Sequence, residues 1–247
     1  MVGGGFRLPQ PCAADGRNAV KVIRFTRSVA PIAQTTREGG KPMKLSNHRL
    51  IEDDGSPIKF HETPNHGGSL KPELLVVHFT AGRGVNNTVS WLMNPAAKAS
   101  AHVVIGEDGT IVQLVPFNVV AWHAGISEWN GRKRVNDFSI GIELSNPGNL
   151  KRTGTKWRTW YGDIVEDDLV MVAPHPHGGR EQGWKVYPTE QLDAAIELGT
   201  LLQQTYGFRD VVGHEDVAPG RKFDPGPAFP LERYRALLLG RADDPAA

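Results

Sequence analysis

The sequence predicts a chain of the α/β class: one domain in which a central mixed β-sheet is flanked by helices. Three observations carry this. Short apolar runs with β-branched residues recur at strand length, as in ELLVVHF (73–79). An Asp108-Gly109 pair separates two such runs, the strongest short signal for a β-hairpin. A long amphipathic segment, 189–206, starts after Pro188 and stops at Gly207, residues suited to opening and closing a helix.

Residues 1–42 look unlike the rest. They are rich in Gly, Pro and small residues, and no apolar periodicity survives past Phe25. The one apolar stretch, Val20 to Phe25, is too short for a targeting peptide and carries Lys21 and Arg24. The segment reads as a disordered tail, with Met43 as an alternative start of the functional chain.

From about Leu70 the pattern becomes strand and helix. The run 73–79 reads as a buried strand, and TVSWLM, between Asn87 and Asn94, as a short helix. AHVVIGEDGTIVQLV (101–115) reads as two strands around the turn. DFSIGIELS (137–145) alternates Ile140, Ile142 and Leu144 with Ser139, Gly141 and Glu143, which predicts one apolar face and one polar face.

Residues 147–187 interrupt this order with Gly, Pro and charge, including APHPHGG, and read as an inserted hairpin or loop. In 189–206, Leu192, Ala195, Ile196, Gly199 and Leu202 recur at helical spacing. A terminal helix is expected over 229–239. The domain therefore spans 43–242, with the insertion at 147–187 and a tail at 243–247.

The bulk numbers fit this plan. A chain of 247 residues, 39% hydrophobic and 22% charged, is long enough for one sizeable core. A formal charge of +1 gives no reason to expect nucleic acid. No apolar run approaches the ~18 residues of a membrane span. Cys12 is the single cysteine, which excludes an internal disulfide and a thiolate metal cluster and suits a reducing cytoplasm. Metal chemistry in this chain must use histidine and carboxylate.

Nine histidines supply candidates. His78 ends an apolar strand just before Thr80-Ala81-Gly82, where a side chain is rigidly held yet able to reach a cleft. A lone histidine there is more often a hydrogen-bonded core residue. VVGHEDVAPGRKFDPGPAF (211–229) again runs β-branched residues into a histidine, His214, then turns through several Pro and Gly residues. Those turn formers predict a loop rather than a helix. If its extended part alternates, Lys222 and Asp224 face one site and Phe223 turns into the core. Glu143 is the third element, beside Gly141, which would leave space for a substrate. His175 and His177 alternate in a Pro/Gly loop, where solvation is the simpler reading than a second metal.

LLVVHFTAG, SAHVVIGEDGTIVQLVPFNVVAWHAG, GRKRVNDFSIGIELSN and GHEDVAPGRKFDPGPAF together resemble, in order, the landmarks of type-2 N-acetylmuramoyl-L-alanine amidases. That family includes cell-wall recycling enzymes, phage amidases and peptidoglycan-recognition proteins. The resemblance covers about 70–146 and 188–240. It implies a zinc site in a surface groove, with His78, His214 and Asp224 as metal ligands. It implies that Glu143 handles the proton of the attacking water and that Lys222 stabilises the transition state.

The same resemblance suggests that Lys98, His102, Trp122, His123 and Arg134 line the substrate groove. It implies a peptidoglycan or muropeptide substrate, cleaved between muramic acid and L-alanine, no organic cofactor and a monomer. A short stretch from His78 to His102 and the added 147–187 depart from the recycling enzymes, so substrate preference does not transfer. The rival from another class is a recognition module that has lost catalysis. A zinc peptidase is a second rival, but no H-E-x-x-H pair is present.

Overall fold

The computed structural model describes residues 42–241. The expected tails, 1–42 and 243–247, lie outside that range apart from Pro42. The first described strand begins at Met43 rather than near Leu70. Met43–Ser46 pairs antiparallel with Arg49–Glu52, and the buried Met43 joins the main core beneath the long helix.

The main sheet has five strands, in the order Asp210–Gly213, Leu74–Phe79, Ser139–Leu144, Val103–Ile105, Ile111–Gln113. The first four are parallel and the last is antiparallel, closing the hairpin at Asp108-Gly109. The helix expected after Pro188 spans Thr189–Tyr206, with Gly207 left-handed at its end. The terminal helix is Leu231–Leu239, and the short one is Gly84–Leu92, begun earlier than its apolar residues suggest.

Alternation assigns the two faces. Leu75, Val77, Ile140, Ile142, Leu144 and Val211 share a core with Ala194, Leu198 and Leu202 of the long helix and Tyr234 of the terminal one. Leu74, Val76 and Val212 pack on the opposite face against Ala124, Val135, Phe138 and Val217. The expectation of a polar face on Ser139–Leu144 fails because this strand is central. Ser139 and Gly141 are buried as well, as for parallel strands covered on both faces.

Residues 147–187 are more than a hairpin. They form a second five-stranded sheet from short strands: Ile164–Val165, Lys156–Arg158, Asn149–Thr153, Gln182–Lys185 and Val170–Ala173, in that order. Its inner pairs are antiparallel throughout.

Candidate metal centre and active site

His78 is the fifth residue of its strand and Glu143 the fifth of the next, and the two are register partners in the parallel ladder. Both therefore project from the same face, the one that turns away from the long helix and the terminal helix. His214 follows directly on the strand Asp210–Gly213 on the other side of His78. The carboxyl ends of parallel strands are where open α/β sheets place ligands. The sheet order brings the three together.

His214 begins a one-turn helix, His214–Val217, where a loop was expected. Gly213 N–H donates to Asp216 Oδ2 at 2.8 Å, which closes the start of that turn. The chain then returns so that Glu215 N–H donates to the Asp224 carbonyl at 2.8 Å. This hydrogen bond holds the His214 and Asp224 segments side by side. Phe223 is 51% exposed rather than in the core, because the segment around it is not a strand and alternation does not apply.

His78 Nδ1, His214 Nδ1 and Asp224 Oδ2 form a triangle with sides of 2.9, 3.0 and 2.9 Å. All three side chains are buried. Which nitrogens carry protons follows from their outer partners. Ser139 Oγ–H donates to the Val135 carbonyl at 2.6 Å, so Ser139 Oγ accepts from His123 Nε2–H at 3.1 Å. His123 Nδ1 must then accept from His78 Nε2–H at 3.0 Å. His214 Nε2–H donates to the Ala124 carbonyl at 3.1 Å. Each chain ends on a carbonyl that can only accept, so both inner Nδ1 atoms are left as lone pairs facing a carboxylate oxygen.

Three electron-pair donors at such spacing repel one another unless a cation or protons lie between them. Tetrahedral ligands about 2.0–2.1 Å from zinc stand roughly 3.3 Å apart, close to this triangle. The donor set, two neutral imidazoles and one carboxylate, fits a zinc site that leaves a position open for water. Burial holds His78 neutral, with its pKa lowered to about 4, and the closeness of the His214 ring works the same way by disfavouring a second proton on the pair.

Glu143 is half-buried, and its Oε2 is buried without a hydrogen-bond partner among the described residues. Burial raises its pKa to about 8; the Asp224 charge pushes the same way and Lys222 opposes it. Lys222 is half-buried, and its charge acts on both His78 and Glu143. A carboxyl that titrates near neutrality, with a free oxygen and an ammonium nearby, can take up and return a proton.

The residues expected to line a groove divide. Lys98 and Arg134 are exposed, and Arg134 pairs with Asp137 at 2.8 Å. Trp122 is half-buried. His102 is not at a groove: it is fully buried, donates from Nε2 to the Val119 carbonyl at 3.0 Å and accepts Gly141 N–H at Nδ1 at 3.1 Å. His123 is also buried, behind His78. Its ring occupies the space above Gly141 that was expected to admit substrate, and a Cβ on Gly141 would overlap that ring.

The solvated reading gives way for His175 and holds for the exposed His177. His175 is buried and donates from Nε2 to Glu215 Oε2 at 2.8 Å. His177 is exposed but bonds Asp216 Oδ1 at 3.0 Å. No sequence signal foretells these pairings, since they join segments 39 and 40 residues apart.

Residues 68–227 match the family model described as N-acetylmuramoyl-L-alanine amidase. The chain belongs to the N-acetylmuramoyl-L-alanine amidase family. The 1,6-anhydro-N-acetylmuramyl-L-alanine amidase AmpD of Enterobacter cloacae is 33% identical over 219 residues, covering 81% of this chain and 98% of that relative. The N-acetylmuramoyl-L-alanine amidase AmiD of Escherichia coli K12 is 34% identical over 79% of this chain and 63% of its own length.

Among solved structures, a selenomethionine AmpD derivative superposes on this amidase with a TM-score of 0.56 at 29% identity, over 79% of this chain and 99% of that one. AmiD from E. coli, solved with the substrate anhydro-N-acetylmuramic acid-L-Ala-D-γ-Glu-L-Lys, gives 0.51 at 26% identity, over 81% of this chain and 66% of that one. Among the described residues, no helix of this amidase is long and apolar enough to cross a membrane.

Proposed function

We propose that this amidase is a zinc enzyme that hydrolyses the amide between N-acetylmuramic acid and L-alanine in muropeptides or peptidoglycan, with zinc held by His78, His214 and Asp224. The observation that carries the reading is the triangle of unprotonated donors, fixed from behind by His123 and by the Ala124 carbonyl. Zinc bound there lowers the pKa of a coordinated water toward about 7 and polarises the substrate carbonyl.

The chain's own groups supply the rest. Glu143, on the same face as His78, takes the proton of the attacking water at Oε2 and delivers it to the departing alanine nitrogen. Lys222 places positive charge beside the developing oxyanion, an interaction worth about 3 kcal/mol in sites of this kind. Exposed Lys98 and Arg134 are suited to carboxylates of a stem peptide. A recognition module that had lost catalysis should lack a ligand or the proton carrier, and here all five positions are filled.

The test is metal analysis with activity. Replacing His78, His214 or Asp224 with Ala is expected to abolish turnover and most bound zinc. An Asp224→Ala protein that keeps one zinc per chain contradicts the ligand set.

A further inference from the structure

The insertion meets the metal-binding turn through two histidines, and the hydrogen bonds define their roles. His177 N–H donates to His175 Nδ1 at 3.1 Å, so His175 presents Nε2–H to Glu215 Oε2 at 2.8 Å. Both side chains of that pair are almost closed to solvent, at 5% and 3%. Glu215 Oε2 also accepts Gly226 N–H at 3.0 Å. With the Glu215 N–H to Asp224 bond, this one residue links the His214 turn to the chain at Asp224 itself and two residues beyond it, at Gly226.

His175 is thus the outer support of the residue that spaces two ligand-bearing segments. Further contacts from the same end of the insertion fall on the same loop. Tyr187 Oη–H donates to the Pro225 carbonyl at 2.8 Å, and the Trp184 ring fills the space where a Cβ on Gly226 would stand. The His175 ring lies 5.8 Å from Trp184 and 5.4 Å from Phe223.

We propose that the insertion is a positioning element of the metal centre: His175, acting through Glu215, holds the His214–Asp224 arm at the spacing its donor atoms need. The proposal rests on the assignment of His78, His214 and Asp224 as the ligand set. His175 is a positioning residue, and His177 reinforces it through Asp216. A second cation among His177, Glu215 and Asp216, whose donor atoms also lie within 4.8 Å of one another, is the competing account. Protein N–H groups already serve Glu215 Oε2 and both oxygens of Asp216, which favours the clamp.

The experiment measures zinc per chain, zinc affinity by chelator competition, and melting of the metal-free full chain, for the parent, His175→Ala, His175→Gln and His177→Ala. The clamp predicts one zinc in the parent and an affinity about 10-fold weaker in His175→Ala, the low end of the range for direct partners of metal ligands, because His175 acts one residue further out through Glu215. His175→Gln, which keeps an N–H donor, recovers most of the loss, and His177→Ala has a smaller effect. A His175→Ala protein that melts lower yet binds zinc like the parent overturns the proposal and leaves the ligand set standing. Two zinc ions in the parent, falling to one in His177→Ala, overturn it in favour of a second cation site. A parent that binds no zinc sinks the ligand set itself.

Discussion

In the parallel sheet Leu75, Val76, Val77, Ile140 and Ile142 are completely buried, whereas in the insertion sheet Met171, Ile164 and Val172 are 36%, 48% and 50% exposed. The first sheet is covered by packed side chains on both faces and holds its own core. The second is a single layer with few fully closed positions, among them Leu150, Val165 and Trp184. A single layer of strands two to five residues long with exposed apolar residues buries little surface by itself. Its order comes from docking, and its docking points lie beside the candidate site. His175 and His177 reach the His214 turn. Trp160, Tyr161 and Asp163 reach residues 81–83, just past His78, through Trp160 Nε1–H to the Ala81 carbonyl and an Arg83–Asp163 pair at 2.9 Å. The rigid sheet sets where the segments carrying the proposed ligands start, and the added sheet meets both loops that leave it.

That division can be broken at several levels. Glu143→Gln alters only the proposed proton carrier on the rigid sheet. It is expected to keep fold and metal while losing about 100-fold or more in kcat, the scale of general acid–base catalysis. Turnover within a few-fold of the parent would reduce Glu143 to a strand residue.

Denaturant unfolding compares the two sheets directly. Ile142→Ala should cost about 2–5 kcal/mol, as for other buried large-to-small changes. Val172→Ala should stay within about 0.5 kcal/mol, the range for exposed positions. Equal losses would show that the insertion sheet carries a core of its own.

His123→Ala removes the outer partner of His78 without touching a ligand. Zinc affinity measured by chelator competition should fall about 10–100-fold. An unchanged affinity would mean that the Ser139–His123–His78 chain does not set the tautomer.

The smallest effect is expected at Trp160, 68% exposed with its N–H fixed. Trp160→Ala should alter the ratio of rates on sacculi and on soluble muropeptides by a few-fold and leave zinc content as in the parent. A constant ratio would remove the insertion from substrate selection.

The strands of the main sheet were legible as short apolar runs rich in β-branched residues, and the long helix by its apolar residues at helical spacing, with Pro188 and Gly207 marking its ends. His78, His214 and Asp224 were legible as candidates because His78 lies near the end of a rigid strand, His214 follows one, and Asp224 sits in a loop framed by Pro and Gly. His102 and His123 were misread for a physical reason. The string AWHAG fixes neighbours along the chain, but the exposure of a ring depends on what packs over it, here Gly141 and His78. Phe223 was assigned inward by strand alternation in a segment that is not a strand. The insertion sheet gave no periodic signal because its strands are two to five residues long and several of their apolar residues face solvent. The His175–Glu215 pair was invisible, since it is made only by tertiary docking.

The most direct test of the central claim is the identity of the bond that breaks. The full chain is incubated with an N-acetylmuramyl-L-alanyl peptide as prepared, after chelation, and after zinc is restored, and the products are weighed by mass spectrometry. The account predicts an intact sugar carrying a free lactyl carboxylate and a stem peptide with a free alanine amine, lost on chelation and regained with zinc. Cleavage of a peptide or glycosidic bond instead, or undiminished cleavage in the chelated protein, would contradict it.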